Sequence, residues 1–147
     1  IKITGRTKNF INAVGEELIV DNAEKAITQA GKKHQAIVSE FTAAPVYFSK
    51  DDNAAHEWLI EFEKKPADLE TYINDLDAAL QSLNSDYEAK RYNDMVLRRP
   101  LVKSVPTGTF YNWMKQRGKL GGQNKVPRLS NNRKHVESIL SMLDERQ

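Results

Sequence analysis

The segment from Gly118 to Arg128 combines the residue types of a flexible, anion-binding loop. Gly121 and Gly122 permit backbone angles that other residues cannot adopt, so the loop can change shape. Pro127 then fixes the backbone just after Lys125. Lysine offers a compact cation and arginine a two-pronged donor, and both suit phosphate or carboxylate oxygens. The Walker pattern is missing. A surface loop with solvated basic residues remains the alternative.

The run from Gly5 to Lys8 is a second candidate, because a glycine precedes charged residues there. Such a run can form a hinge, a phosphate contact or a plain turn, and the plain turn is the simplest interpretation.

The other polar and aromatic candidates favour structural roles. No two histidines have metal-ligand spacing, so no metal site is predicted. Glu57, Glu61 and Glu63 share one strand face and are expected to be solvated, while Glu16 and Glu17 are assigned no chemistry. The three histidines are His34, His56 and His135.

A largely aromatic set lies among the basic residues and could stack nucleic-acid bases, but core packing is the simpler interpretation. Its members are Phe110, Tyr111, Trp113 and Met114.

Basic residues are concentrated in the last third of the chain. The net charge is +2, yet residues 95–147 hold 11 basic and 3 acidic residues. No acidic residue lies between Met95 and Val136, where ten lysines and arginines fall. Such a segment attracts an anion, which could be nucleic acid, a nucleotide or an acidic surface. Alternatively, it faces the acidic first part of the same chain.

The composition is that of one soluble globular domain. The chain has 147 residues, of which 39% are hydrophobic and 29% charged. It has no cysteine, which excludes disulfides, thiolate zinc sites and cysteine nucleophiles. No apolar run reaches the roughly 18 residues of a membrane span, and no secretory signal is visible, so we expect a cytoplasmic protein without a membrane partner. The first residue is not Met, and we expect a fragment.

Hydrophobic periodicity and capping signals predict the order β-α-β-β-α-α-β-α-α. A first strand covers Ile1 to Ile3. Asp21 and Glu24 resemble a capping box at the start of a helix, and Gly31 is expected to close that helix.

A hairpin and several helices follow. The first strand of the hairpin spans Ala36 to Phe48, where Pro45 indicates an edge strand or a bulge. The second strand of the hairpin is a half-buried strand around Trp58. Two helices come next, one capped by Asp68 and one from Ser85 to Tyr92 in which Glu88 completes a capping box. A strand over Leu101 to Val105, a helix ending at Gly118 and a last helix over Val136 to Leu143 complete the chain. The prediction is an α+β fold with a small mixed sheet, including the hairpin, flanked by amphipathic helices.

At this point the sequence resembles a known family. The segment from Ile3 to Leu18 is similar to the start of the C-terminal domain in adenylate-forming, firefly luciferase-like enzymes. More narrowly, the chain resembles the bacterial form of the Gretchen-Hagen-three family, the auxin-responsive acyl-acid amido synthetases. The similarity runs over essentially the whole chain. Its further blocks are His56 to Phe62, Leu83 to Arg91 and Gly122 to Arg128.

The resemblance implies an ATP-dependent ligase whose small C-terminal domain swings over a large N-terminal one. ATP and Mg²⁺ would serve the full-length enzyme, which joins an acyl acid to AMP and then to an amino acid. Residues 1–147 would be the single C-terminal domain, with the ATP-binding domain absent. We therefore expect this fragment to be inactive alone and to bind no cofactor. Its partners would be its own N-terminal domain and the acyl-acid and amino-acid substrates, with no role for nucleic acid.

The resemblance also assigns the site residues. Lys125 matches the lysine that reaches into the site and neutralises charge between carboxylate and α-phosphate. Lys8 matches the hinge position, with Arg6 beside it, which places the hinge near residues 5–8. The loop residues expected near the nucleotide are Gly121, Gly122, Gln123 and Arg128. A basic nucleic-acid-binding module or a protein-interaction module is the alternative.

Overall fold

The computed structural model describes residues 10–48, 53–92, 96–118 and 126–145, and it confirms an α+β fold. The predicted strand at Ile1 to Ile3 lies outside the described residues. The strands of the described ranges are β1 Phe10–Ile11, β2 Leu18–Ile19, β3 Ile37–Phe48, β4 Asn53–Lys64 and β5 Leu101–Val105. The helices of these ranges are α1 Val20–His34, α2 Leu69–Leu83, α3 Ser85–Arg91, α4 Thr109–Gln116 and α5 Lys134–Glu145.

The main sheet is mixed, with the strand order β3-β4-β5. Strands β3 and β4 form the predicted antiparallel hairpin, whereas β5 pairs with β4 in parallel. Pro45 lies on β3 at the edge of this sheet, opposite His56, so its missing N–H donor is tolerated there. Strands β1 and β2 form a separate two-stranded ladder before α1.

Strand β4 is buried on both faces, so the prediction of a half-buried strand is wrong. Trp58, Ile60 and Phe62 face a first core, which contains apolar residues of α1 and α2. Leu59, on the opposite face, belongs to a second core with apolar residues of α4 and α5. The alternation with glutamate was misleading because Glu61 is itself buried, at 8% exposure.

Helix α1 begins and ends differently from the prediction. Asn22, rather than the predicted box of Asp21 and Glu24, accepts a hydrogen bond from the Ile19 N–H at 3.2 Å. The helix passes Gly31 and ends at His34. A larger residue would not fit at Gly31, because a Cβ atom there would lie 2.8 Å from the Ala36 carbonyl oxygen.

Helices α2 and α3 are capped by side chains one residue before each helix. Asp68 accepts from the Glu70 N–H at 3.0 Å, as predicted. At α3 the capping residue is Asn84, which accepts from the Tyr87 N–H at 2.8 Å, and the predicted box starting at Ser85 is wrong by one residue.

Glu61 provides the N-terminal cap of α4 from across the second core. Its carboxylate accepts hydrogen bonds from the N–H groups of Gly108 and Phe110, each at 3.1 Å. Gly108 has φ +91°, and a glycine there contributes no capping side chain of its own. The prediction of a solvated Glu61 is therefore wrong, because the unpaired N–H groups of a helix start need an acceptor.

A buried glutamate–histidine hydrogen bond fixes the turn between β1 and β2 to the sheet. Glu16 Oε2 and His56 Nε2 are 2.6 Å apart, and both side chains are fully buried. Glu16 also accepts from the N–H groups of Ala13 and Val14 at 2.9 and 2.7 Å. Burial by itself would raise the pKa of Glu16, but the hydrogen bond and charge of His56 and the two backbone donors lower it below 4.5.

Replacing Glu61 tests the remote cap. We expect Glu61→Gln to lower the free energy of unfolding by about 1–2 kcal/mol, because an amide is a weaker acceptor than a carboxylate for two helix N–H groups. Urea unfolding of the variant beside Glu63→Gln, an exposed position on the same strand, measures this. Equal losses in the two variants would contradict the capping role.

Replacing Glu16 tests the buried pair through pH. The folded-state pKa of Glu16 is lowered, so its stabilisation is present above about pH 4.5 and is lost as pH falls through the folded pKa. We expect Glu16→Gln to be less stable than wild type by about 2 kcal/mol at pH 7, with the difference shrinking in acid. Urea unfolding between pH 7 and pH 3 measures it, with exposed Glu17→Gln as the control. A pH-independent difference would refute this assignment.

Candidate functional site

Most of the predicted site residues lie outside the described residues. These are Arg6, Lys8, Gly121, Gly122, Gln123 and Lys125. The structure describes Arg128 and the segments on both sides of residues 119–125. The candidate site is therefore defined by where those two flanking segments are held.

Helix α4 holds the segment before residues 119–125. Phe110, Trp113 and Met114 are buried in the second core, which confirms core packing for them, whereas Tyr111 is 60% exposed. The helix ends two residues before the predicted Gly118, which has φ +69°. The Trp113 Nε1–H donates to the Ser138 hydroxyl of α5 at 2.9 Å. The approach to residues 119–125 is thus fixed by α5.

The segment that follows residues 119–125 is seated on the outer edge of β3. Val126 is buried in the second core. The Thr42 hydroxyl donates to the Pro127 carbonyl at 2.6 Å. The Ala43 N–H donates to the Arg128 carbonyl at 2.9 Å, and the Ala43 carbonyl accepts from the Ser130 N–H at 3.2 Å. Both ends of residues 119–125 are therefore attached to packed structure.

The Arg128 side chain is held by its own domain. Its Nη1 donates to Glu40 on β3, and its Nε lies 3.5 Å from a carboxylate oxygen of Glu24 on α1. The guanidinium carbon lies 4.7 Å from the centre of the Phe41 ring. The side chain is 30% exposed. Its positive charge is thus compensated by two carboxylates inside this domain.

Arg133 fixes the start of α5 in a similar way. Its Nη2 donates to Glu57 at 2.7 Å, its Nη1 to the Pro45 carbonyl at 3.1 Å and its Nε to Glu137 at 3.1 Å. Burial alone would lower the pKa of Arg133, but the hydrogen bonds and charges of Glu57 and Glu137 raise it. The guanidinium therefore stays charged and joins α5 to both hairpin strands.

The segment after the predicted loop also contacts the segment after the predicted hinge. The side-chain oxygen of Asn131 accepts a hydrogen bond from the Asn12 N–H at 2.7 Å. Asn12 in turn accepts from the Gly15 N–H at 2.7 Å, within the turn that the Glu16–His56 pair holds. The start of the described chain is thus attached directly beside the segment that carries Arg128.

Intramolecular contacts account for much of the basic stretch. Arg99 pairs with Glu70 at 3.0 Å, while Arg128 and Arg133 pair with the glutamates given above. Arg98 and Arg117 lie over the aromatic rings of Phe48 and Trp113, at 4.5 and 4.4 Å. These arginines face the acidic first part of the same chain or aromatic rings, so in the described ranges their contacts favour packing within the domain over a nucleic-acid interface.

The histidines have structural contacts, as predicted. His34 Nε2 lies 2.6 Å from Asp75, and His135 packs edge-on against Trp113 at 5.5 Å. The described ranges contain no cluster of three histidine or acidic side chains that could hold a metal ion. Sequence reasoning missed the partner of His56. A polar residue among buried alanines on a strand was the available signal, because such a group needs a partner.

In the described part of the chain, none of the helices has the length and apolar character to cross a bilayer.

Comparisons with known proteins agree with this architecture. A family model described as "GH3 family C-terminal domain" matches residues 21–134. The solved structure of "GH3.15 acyl acid amido synthetase" superposes with a TM-score of 0.71 at 20% identity. That of "AtGH3.15 acyl acid amido synthetase in complex with 2,4-DB" gives a TM-score of 0.69, also at 20% identity.

Each structural alignment covers 91% of this chain and 25% of the matched chain, so this chain spans about a quarter of those proteins. No curated protein matches the sequence. At this identity the two structures establish the fold alone, whereas the family model covers most of the chain. The chain belongs to the GH3, or Gretchen-Hagen-three, family and corresponds to its C-terminal domain.

Proposed function

We propose that this chain is the mobile C-terminal domain of an ATP-dependent acyl-acid amido synthetase. The observation that carries the proposal is the family match over residues 21–134, which includes the whole segment from Gly118 to Arg128. Two structures with the same fold are named as acyl acid amido synthetases and are about four times as long as this chain. The remaining part of such an enzyme would be the N-terminal domain that this domain serves.

The proposed reaction has two half-reactions. First, a carboxylate oxygen of the acyl acid attacks the α-phosphorus of ATP, and pyrophosphate leaves. Next, the amine of an amino acid attacks the acyl carbon, AMP leaves, and the amine loses a proton. The first step accumulates negative charge between carboxylate and α-phosphate, where a positioned cation lowers the barrier.

Lys125 would be that cation. It directly precedes Val126, which is buried in the second core, so the ammonium group is covalently tied to a fixed point of the domain. ATP and its Mg²⁺ would be held mainly by the N-terminal domain, as the family resemblance implies. Gly121, Gly122 and Gln123 remain proposed as loop residues near the nucleotide, whereas the Arg128 side chain is paired with Glu40 and Glu24 of its own domain.

The hinge is proposed at residues 5–8, with Lys8 and Arg6. The described chain begins just afterwards with β1, whose following turn is clamped by Glu16 and His56. A rigid attachment directly after a hinge suits rotation of the domain as one body. The proposed partners are the enzyme's own N-terminal domain and the two substrates, and the proposed location is the cytoplasm.

Lys125→Ala tests the central role. In the full-length enzyme we expect carboxylate-dependent ATP–pyrophosphate exchange to fall by about 10²–10³, the effect of losing one electrostatic donor to the transition state. Exchange would be measured with a panel of aromatic and aliphatic acids. Lys103→Ala, at an exposed lysine of β5, serves as the control. Wild-type exchange in Lys125→Ala would refute the role of Lys125, and exchange without any added acid would refute acid adenylation.

Lys8→Pro tests the hinge. Proline fixes one backbone angle, so we expect domain rotation to be impaired and at least one half-reaction to slow about tenfold or more. Single-turnover rates of acyl-AMP formation and of amide formation, measured separately in the full-length enzyme, report this. Lys8→Ala removes the same charge but keeps the backbone free, and it should behave nearly as wild type. Wild-type rates for Lys8→Pro in both steps would count against a hinge here.

A further inference from the structure

Arg128 has a different role from the nucleotide contact that its place in the loop suggests. We propose that Arg128 is a positioning residue: with Glu40 and Thr42 it clamps the segment after Lys125 onto β3, and so aims that lysine instead of binding phosphate itself. This inference rests on the proposed function, because it concerns the orientation of the proposed cation.

The backbone around Arg128 is held from both sides. The Pro127 carbonyl accepts from the Thr42 hydroxyl, and the Arg128 carbonyl accepts from the Ala43 N–H. Leu129, which follows, is fully buried and pairs with Ala43 as a parallel bridge. The main chain is thus fixed over successive residues that begin two positions after Lys125.

The side chain of Arg128 has its charge satisfied at the same place. Glu40 accepts from Nη1, and Glu24 lies 3.5 Å from Nε. One face of the guanidinium covers the Phe41 ring. A phosphate would have to displace Glu40 or lie beside two carboxylates, which repel it. The contacts therefore favour attachment within the domain over anion binding.

An anchor after Lys125 suits this sequence, because two glycines, Gly121 and Gly122, precede the lysine and a glycine by itself permits backbone angles that other residues cannot adopt. A cation raises the reaction rate only when it is held where charge develops, and a displacement of about 1 Å can cost about 10²-fold. Pro127 and the clamp restrict the chain on the C-terminal side of Lys125. Loss of Arg128 would thus lower the rate of the reaction rather than the affinity for ATP.

The experiment separates positioning from phosphate binding in the full-length enzyme. We expect Arg128→Gln, Glu40→Gln and Thr42→Val each to lower kcat of acid-dependent pyrophosphate exchange, by about tenfold for the charged pair, with the KM for ATP unchanged within about twofold. The triple variant Glu24→Gln, Glu40→Arg and Arg128→Glu should recover part of the loss, because the pair with position 40 is restored with reversed charges and no carboxylate at position 24 repels the new glutamate. Arg99→Gln, in another arginine paired with a glutamate, should leave exchange unchanged.

Two outcomes would overturn the inference. If Arg128 binds phosphate, Arg128→Gln raises the KM for ATP, Glu40→Gln has little effect, and the charge reversal recovers nothing. Wild-type kinetics in Arg128→Gln, Glu40→Gln and Thr42→Val would also refute the clamp. Thr42→Val removes one hydroxyl and keeps both charges, so it tests the clamp even if the charged variants fold poorly.

A combined variant distinguishes this inference from the proposed function. Because Arg128 acts through Lys125, adding Arg128→Gln to Lys125→Ala should cause little further loss, whereas independent roles would multiply. A multiplicative loss would refute positioning while leaving adenylation intact. Undiminished exchange in Lys125→Ala alone would instead refute the proposed role of the lysine, whatever Arg128 does.

Discussion

Strand β4 is buried on both faces along most of its length, and a polar side chain buried there is costly unless it has a partner inside the domain. Its apolar side chains join two cores, one against α1 and α2 and the other against α4 and α5. Three of its polar side chains each bind a different segment of the chain: His56 through Nε2 to Glu16, Glu57 to Arg133, and Glu61 to the start of α4. The need to compensate these groups determines where the surrounding segments lie.

Those segments are the ones that flank the proposed machinery. His56 holds the turn after the proposed hinge, and Glu61 caps the helix before the proposed lysine loop. Glu57 holds Arg133, which lies beyond the loop at the start of α5. Strand β4 thus supports the helix before the loop, the turn after the proposed hinge and the start of α5, whereas β3 holds the segment that directly follows the loop. The proposed lysine would start from a fixed point of such a frame, which favours preorganisation of charge at the reacting atoms.

The distribution of arginines follows the same logic. The first part of the chain is acidic and the last part basic, and the described arginines of the last part largely pair across that division. These pairs are partly exposed, so each contributes modestly to stability. Their main effect is geometric, because a planar guanidinium with several donors joins two or three elements at once. Arg133 does this for α5, and Arg128 does it for the segment that leaves the loop.

Local patterns in the sequence were sufficient for most elements and for the family. Asp68 caps α2, the apolar repeats place the helices, and the alternating residues around Trp58 indicate a strand, because each depends on neighbours within a few positions. The observed helix starts differ from the predicted ones where another side-chain acceptor, Asn22 or Asn84, lies beside the expected capping residue.

Only the tertiary structure decided that β4 is buried on both faces, that Glu16 pairs with His56, and that Glu61 caps a helix far along the chain. It also decided that Arg128 turns toward its own sheet. These partners are separated along the chain by 40, 49 and 88 residues for Glu16–His56, Glu61–Phe110 and Glu40–Arg128. The sequence by itself determined the elements and the residue types available for charge, because those depend on local spacing. Which charges meet depends on how the two cores close around one strand, and no local pattern encodes that.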